Sequence, residues 1–215
     1  MISSAHGARR STPAARSRWY ERELGWPTAG SDPIELLTGV AFDVIELPAV
    51  AGFATLRRVP RTGPVAVEGP WMRLLVAPGG ADELPGLLDW LEWGGVPLGL
   101  TAIGVGGRIT APCPVSTRPS AAAPGLRGPQ EAAVWLRPPE PGSGVGMLPV
   151  TGFGGDGGAP DLVRLVAAAA TECHRAQLLR ARSLPGQRRA GKGDALSRWP
   201  SRMPHERSPE HGRGR

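Results

Sequence analysis

Lysine is almost missing from this chain: of 25 basic residues only Lys192 is a lysine. Arginine, alanine, glycine and proline are used heavily instead, as in a G+C-rich genome. Arginine abundance alone therefore does not point to phosphate chemistry. Cysteine is scarce as well. Cys113 and Cys173 form neither a disulfide framework nor a zinc-ligand spacing, so reduced thiols in the cytoplasm are expected. No stretch approaches 18 apolar residues, and the N-terminus has no hydrophobic signal core. A soluble, cytoplasmic protein without a membrane partner is the expectation.

Strong catalytic motifs are also lacking. "GKGDALS" (191–197) has neither the spaced first glycine nor the preceding strand of a phosphate loop. "GVGGR" (104–108) is not followed by a helix and reads as a tight turn. His174 is the one histidine inside the expected domain, and its neighbour is Cys173. Adjacent residues diverge by roughly 100° around a helix, which makes them a poor nucleophile–base pair. No serine sits in a nucleophile elbow, and no Cys/His cluster can hold zinc.

What is present is a chain of 215 residues, 40% hydrophobic, in which 31 glycines and 24 prolines exceed a quarter of the length. One globular domain with disordered ends fits those values. The net charge of +6 is carried by the ends. Residues 1–11 contribute +2 and residues 183–215 contribute +5, while 12–182 hold fifteen basic and sixteen acidic side chains. A near-neutral domain argues against a dedicated nucleic-acid groove. The expected organisation is a disordered 1–11, a domain over 12–182, and a disordered Arg/Pro-rich tail over 183–215.

Within the domain, Thr12-Pro13 and Gly25 bracket a capped helix. "LLTGVAFDVIEL" (36–47) predicts a central strand ending near Pro48, followed by a helix from Ala49 to Arg58. "GPVAV" (63–67) and "MRLLVA" (72–77) predict two strands joined by a turn at Glu68-Gly69-Pro70. Leu84, Leu87, Leu88 and Leu91 recur at helical spacing in a helix over 81–95 that Gly94 stops. "LGLTAIG" and "GRITAP" suggest a hairpin around Gly104–Gly107, and "AAVWL" (132–136) a last strand. After a proline-rich loop over 112–130 and the flexible link "GFGGDGG", a helix is predicted from about residue 160 to 182. Its buried face is Leu162, Val166, Ala169 and Cys173. These elements predict an α/β or α+β sandwich around one sheet.

Two acids lie inside the apolar stretch "GVAFDVIELPAVAG" (39–52). Two-metal phosphoryl transfer needs acids that converge on ions about 4 Å apart, which on a strand favours positions i and i+2. Asp43 and Glu46 are i and i+3, so a regular strand points them to opposite faces. The simpler reading puts one acid on the sheet's open face and the other near the strand's end. Trp90 and Trp93 could stack bases, but their place on the Leu-rich helix favours packing in a core or interface. Arg57, Arg58 and Arg61 form the one basic knot of the domain and read as a solvated helix end.

The order of several segments resembles the N-terminal bifunctional DNA primase/polymerase (Prim-Pol) family, and in particular its short actinobacterial members. The segments are "WYERELGWPTAG", "TGVAFDVIELPAVAGFATL", "GPVAVEGPWMRLLVAP", "LGLTAIGVGGRITAPCPV" and "AAVWLRPPEPG", from about residue 14 to 150. The resemblance implies an RRM-like mixed sheet flanked by helices. It also implies a D-x-D or D-x-E metal motif, a strand histidine that contacts nucleotide, and a third acid on another strand. The D-x-D position falls on Glu46-Leu47-Pro48, or with Asp43 the partner is Ile45. The histidine position falls on Met72 or Arg73, and the third acid near Gly99. None of the three motifs is intact.

The expectation from these residues is a Prim-Pol-like domain that has lost nucleotidyl transfer and serves as a binding or regulatory module, with no cofactor. An active polymerase is the alternative, using Mg²⁺ or Mn²⁺ on Glu46 or Asp43 together with Asp89 or Glu92. A further alternative is a protein-binding module that docks through Trp71, Trp90 and Trp93. Nucleic acid would be held weakly, through the basic tail.

Overall fold

The computed structural model describes residues 12–113, 133–141, 148–150 and 161–183. The terminal segments expected to be disordered, the loop of 114–130 and "GFGGDGG" lie outside the described residues. Helix α1 runs Pro13–Glu23, and Thr12 Oγ1 accepts the Ala15 N–H at 3.3 Å, as the N-cap reading requires. Gly25 follows the C-cap Leu24 with φ +67°, the left-handed conformation that ends helices.

The predicted strand over 36–47 is two strands. β1 (Thr28–Ala29) and β2 (Glu35–Leu37) precede β3 (Asp43–Pro48), and a turn separates β2 from β3. Gly39 sits at φ +86° and donates its N–H to Phe42 O at 2.9 Å. A Cβ on Gly39 would lie 2.3 Å from Val105 Cα, so the turn needs both the positive φ and the missing side chain. The apolar content runs on across this turn, which is why pattern alone fused the strands.

From β3 the chain builds α2 (Ala49–Arg58), β4 (Val65–Glu68), β5 (Trp71–Val76), α3 (Gly80–Trp90) and β6 (Thr101–Ile103). The five-stranded sheet has the order β6-β3-β5-β4-β8, where β8 is Val134–Arg137. Its first four strands and two helices make a β-α-β-β-α-β unit, the arrangement expected of an RRM-like sheet. Every ladder is antiparallel, and the two parallel links are isolated bridges, Cys113↔Val134 and Val150↔Asp161. The expected mixed sheet is therefore an antiparallel one, and the fold is α+β.

A second correction concerns the expected hairpin. β6 pairs with β3, whereas β7 (Arg108–Thr110) pairs with β2 in a separate three-stranded sheet of order β1-β2-β7. Thr38 causes the divergence: its N–H donates to Gly107 O at 3.1 Å and its hydroxyl to Gly104 O. The chain leaves the large sheet at this turn, so the described residues form two sheets rather than one.

Strand alternation divides the large sheet into two faces. Ile45, Leu47, Met72, Leu74 and Val76 share a core with Ala51 of α2 and Leu84 of α3. The final helix α4 (Leu162–Arg182) adds Leu162, Val166, Ala169 and Cys173 to that core, the face its sequence predicted. Asp161 Oδ1 caps α4 by accepting the Val163 N–H at 2.8 Å. Gly52 lets α2 lie close on β5, since a Cβ there would fall 2.3 Å from Met72 Sδ.

On the opposite face, Val44, Leu75, Ala66 and Trp135 pack against Tyr20, Trp26, Leu36, Phe42 and Ile109. Tyr20 ties this layer together: its hydroxyl donates to Pro112 O at 2.6 Å and accepts the Trp135 Nε1–H at 2.9 Å. Burial pushes the Tyr20 phenol above its ordinary pKa. Each large side chain buried in these two cores contributes about 1.5–3 kcal/mol. The compact unit formed by these elements ends at Leu179, in the last turn of α4. No helix among the described residues is long and apolar enough to cross a membrane.

Candidate functional site

β3 sends its two acids to opposite faces, and each has a different role. Asp43 opens the strand on the helix-covered side, with 1% of its surface exposed. Its Oδ2 accepts the N–H groups of Gly79 at 2.8 Å and Ala81 at 3.0 Å. Those donors are orphan groups of the first turn of α3, whose N-cap, Gly79, has no side chain to satisfy them. Asp43 therefore supplies the cap from a different element, and its charge faces the positive end of the helix dipole. Its other oxygen, Oδ1, is buried without a hydrogen-bond partner.

Glu46 lies on the other face, toward the end of β3, and its side chain is partly exposed. Directly across the ladder is Arg73 of β5. Arg73 Nε donates to Glu46 Oε2 at 2.9 Å, and Arg73 Nη1 donates to Glu68 Oε2 of β4. The guanidinium thus joins two carboxylates on the strands that flank its own. The side chains are 14% exposed for Arg73, 19% for Glu46 and 22% for Glu68, so the cluster is shielded enough for its charges to matter. Its formal sum is one negative charge.

Of the positions assigned by the resemblance, Glu46, Pro48, Arg73 and Gly99 lie at this end of the sheet. Pro48 is two residues along β3 from Glu46 and opposite Trp71 of β5. Gly99, at φ +66°, approaches Pro48: a Cβ on it would lie 3.8 Å from Pro48 Cγ. Met72 points the other way, into the helix-side core. Arg73, rather than Met72, therefore occupies the open face beside Glu46.

Asp43 does not join this group, because the helix N-terminus holds it on the opposite face. Asp89 and Glu92 do not join it either. Both are exposed at the end of α3, across the sheet from Glu46. Among the described residues, no three His, Cys, Asp or Glu side chains gather as a metal-holding group.

The other candidates resolve as follows. The helix predicted over 81–95 ends at Trp90, which is 69% exposed rather than packed. Trp93 is the packed one, with its ring centroid 5.4 Å from that of His174 and its side chain against the helix-side core. Cys173 is buried, and desolvation pushes its thiol up to about 12, so it is not a nucleophile at neutral pH. Of the basic knot, Arg58 Nε reaches Glu172 Oε1 of α4 at 2.8 Å, so that arginine is an interhelix tie rather than a solvated end.

Sequence reasoning found Glu46 and Arg73 as positions but missed Glu68 and the bond that unites all three. A signal was available. Glu68 and Trp71 flank the two-residue turn Gly69-Pro70, so the hairpin register alone puts Arg73 diagonal to Glu68. No family model, curated protein or solved structure matches this chain.

Proposed function

We propose that this chain is a Prim-Pol-like domain without nucleotidyl transfer, kept as a cytoplasmic binding or regulatory module in DNA metabolism. The observation that carries the reading is Arg73 held between Glu46 and Glu68. In active relatives of the resembled family, carboxylates on this sheet hold divalent ions. Here the two acids at that end already share one covalently attached cation, the Arg73 guanidinium.

The residues do not fit a Mg²⁺ or Mn²⁺ pair. An entering ion would have to displace a largely buried guanidinium and leave it without an anion, which is unfavourable. Pro48 offers no carboxylate where the second acid belongs, and Gly99 offers none where the third belongs. No phosphoryl-transfer step is derived from this arrangement.

What the surface offers instead is recognition. Trp71 is 39% exposed beside the ion-paired cluster, and Trp90 stands exposed on α3. Such aromatic groups favour a protein partner. Nucleic acid would be held mainly by the arginines of 183–215, through a strongly salt-dependent contact.

Primer extension with Mg²⁺ or Mn²⁺ tests the proposal. Wild type and Glu46→Ala are expected to give the same blank result on a primed DNA template. Nucleotide incorporation by the wild type that Glu46→Ala abolishes would overturn it.

A further inference from the structure

We propose that the groove between α2 and α4 binds a small organic anion with an apolar body. It lies on the helical side of the large sheet, away from Glu46 and Arg73, and does not depend on the reading of that cluster. The cavity measures about 310 Å³, at the lower end of the range for small-molecule sites.

Small side chains open this space. Ala54 of α2 and Ala176 of α4 line it where longer residues would have closed the gap between the helices. Val50 and Leu179 also line it, and are 70% and 54% exposed. Apolar surface left in water around a concavity is suited to the hydrocarbon part of a ligand.

The polar lining sets the charge of that ligand. Glu172 is 5% exposed, and its charge is cancelled by Arg58 at 2.8 Å. Arg57 and Arg175 also line the cavity. Arg57 spends one N–H on Phe53 O at 3.3 Å, and the Arg175 side chain makes no hydrogen bond or ion pair among the described residues. With Glu172 neutralised by Arg58, the lining carries a surplus of two positive charges. Guanidinium groups match the oxygens of carboxylate and phosphate, so the head group is one of these two. A cation meets only repulsion there, because the one carboxylate is already paired.

Calorimetric titration of the full-length protein with octanoate, octyl phosphate, octylammonium and inorganic phosphate tests the assignment. Octanoate and octyl phosphate are expected to bind saturably at one site, and the tighter of them identifies the head group. Octylammonium and inorganic phosphate are expected to bind at least about tenfold more weakly. Arg57→Gln/Arg175→Gln changes only exposed side chains and is expected to weaken the octyl anions by about tenfold or more. Ala176→Phe is expected to abolish binding by filling the groove; if that variant fails to fold, the glutamine variant alone decides. Octylammonium binding as tightly as octanoate overturns the proposal. So does inorganic phosphate matching octyl phosphate, or an anion affinity that the double variant leaves within about twofold of wild type.

Discussion

Arg73→Ala lowers the stability of the domain by about 2–4 kcal/mol, the largest single loss expected at the sheet face. Removing the guanidinium leaves Glu46 and Glu68, 19% and 22% exposed on the two strands that flank β5, with no cation between them. Breaking a fully buried pair by removing one partner costs about 3–5 kcal/mol, and partial exposure here reduces that range. Urea unfolding measures the loss as a lower midpoint with an unchanged slope. The cause is charge, so neutralising the acids should repair it. Arg73→Ala combined with Glu46→Gln and Glu68→Gln is expected to recover at least half of the deficit. An Arg73→Ala variant as stable as wild type would show that the three charges do not interact across the ladder.

Asp43→Ala is expected to cost about 2–3 kcal/mol and to loosen α3 before the rest of the domain. The substitution strips the acceptor from the Gly79 and Ala81 N–H groups, at a helix N-terminus whose own N-cap residue makes no side-chain capping bond. It also removes a carboxylate from the positive end of the helix dipole. Asp43→Asn keeps an oxygen in the same place and loses only the charge, so its cost should be about 1 kcal/mol. Hydrogen exchange locates the effect: amides in the first turn of α3 should exchange faster in Asp43→Ala while those of β4 stay near wild type. Equal losses for Ala and Asn would separate the stability from the capping bonds.

The two acids also show where sequence reading succeeded and where it stopped. Their spacing of three places them on opposite faces of a strand, and the structure has them there. Their partners could not be read in the same way. The donors to Asp43 lie 36 and 38 residues on, in a helix whose own N-cap is a glycine. The partner of Glu46 lies 27 residues away, on a strand whose register only the folded sheet fixes.

Local signals served the helices well. Thr12 and Gly25 mark ends that the backbone obeys, and α2 occupies the residues that its flanking proline and apolar run indicated. The sheets were harder. Gly39 breaks an apolar run that shows no change of composition, because the need for glycine comes from the distant Val105. Gly104 to Gly107 has the composition of a hairpin turn, yet Thr38 draws it toward β2 instead. Trp90 continues the apolar stripe of α3 in sequence but reaches solvent, because the core beneath that helix closes at Leu84 and its partly buried leucines.

Titration of Mn²⁺ into the protein, followed by the electron paramagnetic resonance signal of the free aqua ion, tests most directly whether Arg73 stands where a metal would. The account predicts that wild type and Glu46→Gln reduce the free-ion signal by the same amount at every concentration, since Glu46 belongs to Arg73 and not to an ion. Saturable Mn²⁺ binding by the wild type that disappears in Glu46→Gln would contradict it.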